Sequence, residues 1–246
     1  MKHENAQSNA TFRTNKLYTV CNTDNRMVHI RENLSDEVAD LVSKRIYDGS
    51  LPAGSRINEV ALSREIGVSR TPLREALQRL VSEEILDSIP RRGFFVRDLS
   101  VAEFTDIYAM RSILDPAALQ LAGVPARGTL QQLRELNEQL KTADTAVEAI
   151  EIDNNWHLTL IGHCNNNTLK GLIRNFMRRT MRYELAYFAD ASSVHTAGGE
   201  HDQILNALDR GALPDAIDGL TRNLTTGAEP ILNWLRNREA PNPSPQ

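Results

Sequence analysis

The stretch Gly67-Val68-Ser69-Arg70-Thr71-Pro72-Leu73-Arg74-Glu75-Ala76-Leu77-Gln78-Arg79-Leu80 constrains this chain more than any other. A glycine directly after the short helical run 62–66 takes the left-handed conformation that ends a helix, and the chain then turns within about three or four residues. A new helix starts there. Ser69 or Thr71 offers a capping oxygen, and Pro72 falls in the first turn, where a missing N–H costs little. Leu73, Ala76, Leu77 and Leu80 recur at helical spacing and predict a buried stripe, whereas Arg70, Arg74 and Gln78 lie elsewhere on the circumference. This reads as the second helix of a helix-turn-helix. Its exposed face carries the guanidinium and amide groups that pair with guanine and adenine edges in a major groove, although arginines at helical spacing also suit a plain solvated face.

The neighbours of that stretch decide between the two. Before it, Leu34, Val38, Leu41, Val42 and Ile46 keep a helical period, with Ser35 as cap and Asp36 and Glu37 near the positive helix end. The run 48–54 breaks this helix, and Asn58 caps a short one that ends at Gly67. After it, 85–89 and 94–97 are short apolar runs joined by Pro90-Arg91-Arg92-Gly93, the pattern of a β-hairpin. A hairpin directly behind a helix-turn-helix is a wing, and Arg91 and Arg92 at its tip suit a minor groove or a row of phosphates. The formal net charge of −4 argues the other way only until the charges are placed. Residues 30–97 hold eleven basic and eleven acidic side chains, and 98–246 hold thirteen and nineteen, so the acidity sits in the C-terminal half. Affinity for nucleic acid follows the charges near the phosphates, not the total.

Ser100-Val101-Ala102-Glu103 is a capping box that opens a second unit. From there the pattern is helical over roughly 101–123, 129–141, 144–164, 167–189, 199–210, 213–226 and 229–238, with Pro116 expected to kink or restart the first at Asp115. The expected fold is mainly α: an N-terminal winged helix-turn-helix with a small β-hairpin wing, then a C-terminal all-α bundle. The expected domains are a flexible tail over 1–29, the winged head over 30–98, the helical domain over 99–238 and a disordered tail over 239–246. No run of eighteen apolar residues and no apolar signal core occurs, which predicts a cytoplasmic protein with no membrane association. Cys21 and Cys164 are too few for a disulfide framework or a thiolate metal site.

Asp153 and His157 are four residues apart on a predicted helix and share a face, and His201 opens another helix after Glu200. A carboxylate and two imidazoles suffice for a divalent transition metal with open positions, but by spacing alone they equally suit surface polar groups. His163 faces away from His157 and reads as structural. Arg174, Arg178, Arg179 and Arg182 make one helix cationic, and at least two of them read as solvated charge.

Residues 34–97 resemble the winged-helix domain of the GntR family of bacterial transcription regulators, through Leu51-Pro52-Ala53-Gly54, Asn58-Glu59, the run Gly67 to Leu77, and Arg92-Gly93. By that resemblance Ser69, Arg70, Thr71 and Arg74 contact the operator and the Gly93 turn enters the minor groove. Some members read a base with an arginine at the position of Val60, a contact this chain lacks. Arg111 to Ala118, Asp153, His157, Asn166 and Glu200 to Ile204 resemble the all-helical FCD effector domain of the FadR subfamily, and the two resemblances span nearly all of residues 31–236. Many members hold a metal through an Asp, a His one turn later, a His matching His201 and a final His. Here Asn223 stands at that last position, so what the resemblance implies is one divalent ion (zinc, nickel or manganese) bound by Asp153, His157 and His201 with Asn223 as a weak fourth ligand, a harder metal, or a pocket used without metal. It further implies a small carboxylate effector, with Arg111 and Arg182 as candidate anchors. The expected whole is a homodimer on a pseudo-palindromic double-stranded DNA operator, its affinity switched by the effector. The rivals are a constitutive DNA-binding dimer and a metal-dependent hydrolase.

Overall fold

The computed structural model describes residues 34–190 and 198–239, together with the two-residue strands β1 (Thr19–Val20) and β2 (Val28–His29), paired antiparallel. The remainder of the expected N-terminal tail, its cations included, and residues 240–246 lie outside the described residues.

The head is built from α1 (Leu34–Tyr47), α2 (Glu59–Ile66), α3 (Arg70–Ser82) and the hairpin β3 (Leu86–Ile89) and β4 (Gly93–Val96). Asn58 caps α2 as expected, its side chain accepting the Ala61 N–H at 3.1 Å. Gly67 ends α2 at φ 78°, and its N–H and that of Val68 both return to the Ser63 carbonyl at 3.0 Å. This left-handed cap sets the angle between α2 and α3. Leu73, Ala76, Leu77 and Leu80 are buried, packed with Val38, Val42, Ile57, Ile85 and Phe94 into a core of the head's own. Ser35 is the second residue of α1 and is buried, so it does not cap that helix. Residues 54–57 run beside β4 and join it through one isolated bridge, Arg56 to Phe95: Ile57 N–H donates to Phe94 O and Val96 N–H to Ser55 O, each at 2.9 Å. Gly54 takes φ 74°, and a Cβ there would meet the Asp98 carboxylate.

The second unit contains α4 (Val101–Ala122), α5 (Arg127–Lys141), α6 (Ala146–Leu160), α7 (Asn167–Asp190), α8 (Gly198–Asp209) and α9 (Leu213–Glu239). Ser100 accepts the Glu103 N–H at 3.3 Å, so the capping position starts α4 where expected. Two expected breaks are absent. The helix runs through Pro116 as α4, and 213–226 and 229–238 form one helix, α9, with Pro230 inside it. An interior proline costs about 3 kcal/mol. The buried stripes along the packed pair α4 and α9, with Phe104, Ile107, Ala118 and Leu119 on one and Leu220, Leu224, Ile231 and Leu235 on the other, outweigh it. Trp156, Leu133, Leu160 and Ile173 centre the larger core.

Candidate nucleic-acid interface and effector cavity

Arg70, Thr71 and Arg74 are exposed at the start of α3. Ser69 takes the N-cap position at φ −72°, ψ 167°, yet its hydroxyl makes no capping bond, against expectation. Arg74 is held by Glu59, with Nε at 2.7 Å from Oε2 and Nη2 at 3.4 Å from Oε1. At the wing, Arg91 is exposed with φ 62°, the Arg92 guanidinium lies 5.3 Å over the Phe95 ring, and Gly93 has φ 94°.

Sequence reasoning assigned no role to Arg56 or Glu59. Both meet the wing turn: a Cβ on Gly93 would stand 3.9 Å from Arg56 Nη2 and 4.0 Å from Glu59 Oε1. Arg56 gave no signal because its strand is a single bridge to Phe95, too short to leave a period.

Behind the head, a cavity of about 400 Å³ opens among α4, α6, α7, α8 and α9. Asp153 and His157 line it and His201 lies beside them, the ligand atoms of all three within 4.8 Å of one another. His157 Nε2 lies 3.7 Å from Asp153 Oδ2, and His201 Nε2 lies 3.5 Å from Asp153 Oδ1. The His201 ring stacks on Trp156 at 3.6 Å and an interplanar angle of 1°, and its Nδ1 faces Asn137 Oδ1 at 3.2 Å. A proton on Nδ1 for that contact leaves the Nε2 lone pair directed at a carboxylate. Asp153 Oδ1, His157 Nδ1 and His201 Nε2 are buried without hydrogen-bond partners. Burial lowers both imidazoles, His201 to about 3 and His157 well below its ordinary value, so both are neutral donors at neutral pH. Burial, aided by the nearby Glu184, pushes Asp153 up to about 7 against the pull of Arg111. Neutral imidazoles around an unpaired carboxylate fit a divalent cation.

Asn223 lines the same cavity, but its amide nitrogen donates to Glu200 Oε2 at 2.7 Å. Glu200 also accepts from Thr226 at 2.9 Å. Toward a metal ion the Asn223 side chain can offer only its carbonyl oxygen, since the amide nitrogen is a donor. Arg111 is buried and paired with Asp115 (3.1 Å), and its Nε lacks a partner. Burial opposes its charge, but Asp115, Tyr108 and Glu184 outweigh that and hold it protonated. Glu184, raised by burial and bonded to the Tyr108 hydroxyl at 2.9 Å, is a cavity acid that sequence reasoning missed among the arginines of its helix. His163 is exposed beside Thr129, apart from the cluster.

Arg182 is a correction, because it does not reach this cavity. It points from α7 toward the head, where Nη1 donates to Arg97 O at 2.6 Å and Nη2 to Glu103 Oε2 at 2.5 Å. Arg179 donates to Glu103 Oε1 at 2.8 Å and pairs with Glu84 at 3.0 Å, while Arg178 pairs with Glu83 at 3.4 Å. Three of the four α7 arginines thus contact the head, at Glu83, Glu84 and the Arg97 carbonyl, where solvated charge was expected for at least two of the four.

The family model for bacterial regulatory proteins of the gntR family matches residues 34–96, and that for the FCD domain matches 106–225. The Nta operon transcriptional regulator of Aminobacter aminovorans is 37% identical over 160 residues, 63% of this chain and 74% of that protein. The uncharacterized HTH-type regulator YdhC of Bacillus subtilis is 30% identical over 141 residues, 54% of this chain and 62% of that protein. Among solved structures, that titled E. coli McbR/YncC superposes with a TM-score of 0.70 at 22% identity, covering 83% of this chain and 99% of its own, a likeness of fold.

Proposed function

The chain belongs to the GntR family of bacterial regulatory proteins and carries an FCD domain, and from that premise we propose that a small carboxylate bound in the helical cavity sets the affinity of its winged head for DNA. It is a GntR-type transcription regulator, and the family and its named relatives are regulators, not enzymes, so the hydrolase alternative falls. The observation that carries the proposal is the shared use of α7. One side of that helix brings Glu184 and Tyr187 to the cavity, and the other brings Arg178, Arg179 and Arg182 to Glu83, Glu84 and the Arg97 carbonyl of the head.

Asp153, His157 and His201 would hold one divalent ion, which supplies when bound a positive point that a carboxylate can ligate. Asn223 offers less than an imidazole, so the ion is held more weakly than by a full set of histidines. The unpartnered Nε of Arg111 is the group that would receive the acid from the protein side. Occupancy that shifts α4 or α7 changes the seat of Glu103 against Arg97 and Arg182, and so the placement of the head. Differential affinity for two head positions is all that a switch requires. We take the functional unit to be a homodimer on a pseudo-palindromic operator, working in the cytoplasm. Among the described residues, no helix is long and apolar enough to cross a membrane.

The test is thermal melting with a panel of small organic acids, with and without a chelator. Saturation at about 100 times Kd adds about 2.7 kcal/mol, which for a chain of this size is on the order of 5–10 °C in Tm. A shift that the chelator removes, coupled to a change in operator affinity, is the expected result. No shift with any acid or metal leaves the constitutive dimer.

A further inference from the structure

We propose that Glu59 is a positioning residue for sequence readout, holding Arg74 side-on so that the outer edge of its guanidinium is presented to a guanine. The inference rests on the reading of α3 as the recognition helix.

The geometry is specific. Arginine has two hydrogen-bonding edges, one made by Nε and Nη2 and the other by Nη1 and Nη2. Glu59 occupies the first edge, at 2.7 Å and 3.4 Å. The second edge has the fork spacing that matches guanine O6 and N7. The Glu59 side chain is 21% exposed and that of Arg74 is 65% exposed, so the carboxylate is the recessed anchor and the guanidinium the outward group. Glu59 sits at the first position of α2, directly after the capping residue Asn58, whose bond to the Ala61 N–H fixes the backbone there. Its Oε1 also lies beside the Gly93 turn, 4.0 Å from where a Cβ on that glycine would stand.

Two consequences follow. A restrained fork loses less rotamer freedom on binding than a free arginine, so readout at that base pair is strengthened. A fixed negative charge beside the groove also weakens indiscriminate attraction to phosphates, so the ratio of specific to non-specific binding rises. Glu59 therefore supplies discrimination in a chain that has Val60 at its neighbouring position.

The experiment uses the full chain and a duplex selected by it from a random-sequence pool, with affinities measured by fluorescence anisotropy at one salt concentration. Glu59→Ala is expected to bind the selected duplex about tenfold more weakly and a scrambled duplex no more weakly, with base preference flattened at one position per half-site. Glu59→Gln, which keeps one acceptor oxygen and the side chain's shape, recovers part of the loss and guards against misfolding. In an Arg74→Ala background Glu59→Ala is expected to add no further loss. Equal or tighter binding of the selected duplex by Glu59→Ala overturns the proposal, as does an unchanged loss in the Arg74→Ala background. Weak binding by Arg74→Ala beside normal binding by Glu59→Ala sinks the role of Glu59 alone, whereas normal binding by Arg74→Ala sinks the recognition-helix reading on which it rests.

Discussion

Single side chains divide here into those that tolerate replacement and those whose partners do not. Arg111 and Asp115 form a buried pair one helical turn apart. Arg111→Ala leaves a buried carboxylate unpaired and should lower stability by about 3–5 kcal/mol, read from the urea midpoint. The double variant with Asp115→Ala should recover part of that loss. Arg70→Ala touches no core, so its Tm should stay unchanged while operator binding weakens by about 1–3 kcal/mol for a lost guanine contact. Unchanged affinity would remove Arg70 from the interface. Asp153 and His157 were legible because a four-residue step fixes a shared face. The Glu200–Asn223 bond was not, since it joins side chains on two helices whose packing no local pattern encodes.

Among the elements, α7 acts as the beam between head and cavity, and Glu103 at the start of α4 is where it is fastened. Burial alone would push Glu103 up, but Tyr183 and the guanidiniums of Arg182, Arg179 and Arg97 outweigh it and hold its carboxyl below the ordinary value of 4.5. A depressed carboxylate contributes stability that is present above 4.5 and lost as pH falls through its lowered value. Melts of wild type and Glu103→Gln taken from pH 7 down to pH 3 should therefore converge in acid, the wild type being the more stable at neutral pH. A constant gap would show that the ion cluster is not the fastening. The α7 helix itself was legible from its period. Which of its arginines were solvated was not, because Glu83, Glu84 and Glu103 come from other elements.

For the whole molecule, the head and the helical unit have separate cores, and ion pairs and hydrogen bonds from α7 cross between them. Paired heads would read two half-sites spaced by about one helical turn of DNA, roughly 34–36 Å. Sedimentation of the full chain should give a two-chain species, and a duplex cut to one half-site should lose most of the affinity of the full site. A monomer that binds the half-site as well as the full site would refute the two-fold reading. Metal should report at this scale too. Chelator added to protein loaded with zinc, nickel or manganese should lower Tm, and His201→Ala should abolish that response.

By itself the sequence determined the order of the elements, the winged head and the all-helical body, since helical period, caps and turn residues are local and act the same in any context. It also determined which polar side chains lie exposed at the start of α3. Only the tertiary structure decided that α4 and α9 continue through Pro116 and Pro230, because burial of their facing stripes outweighs the local cost of proline. It alone sent Arg182 to the head and left Arg111 with the cavity, and it set Glu59 against Arg74. A period tells which face a side chain is on, whereas its partner depends on which other element that face meets.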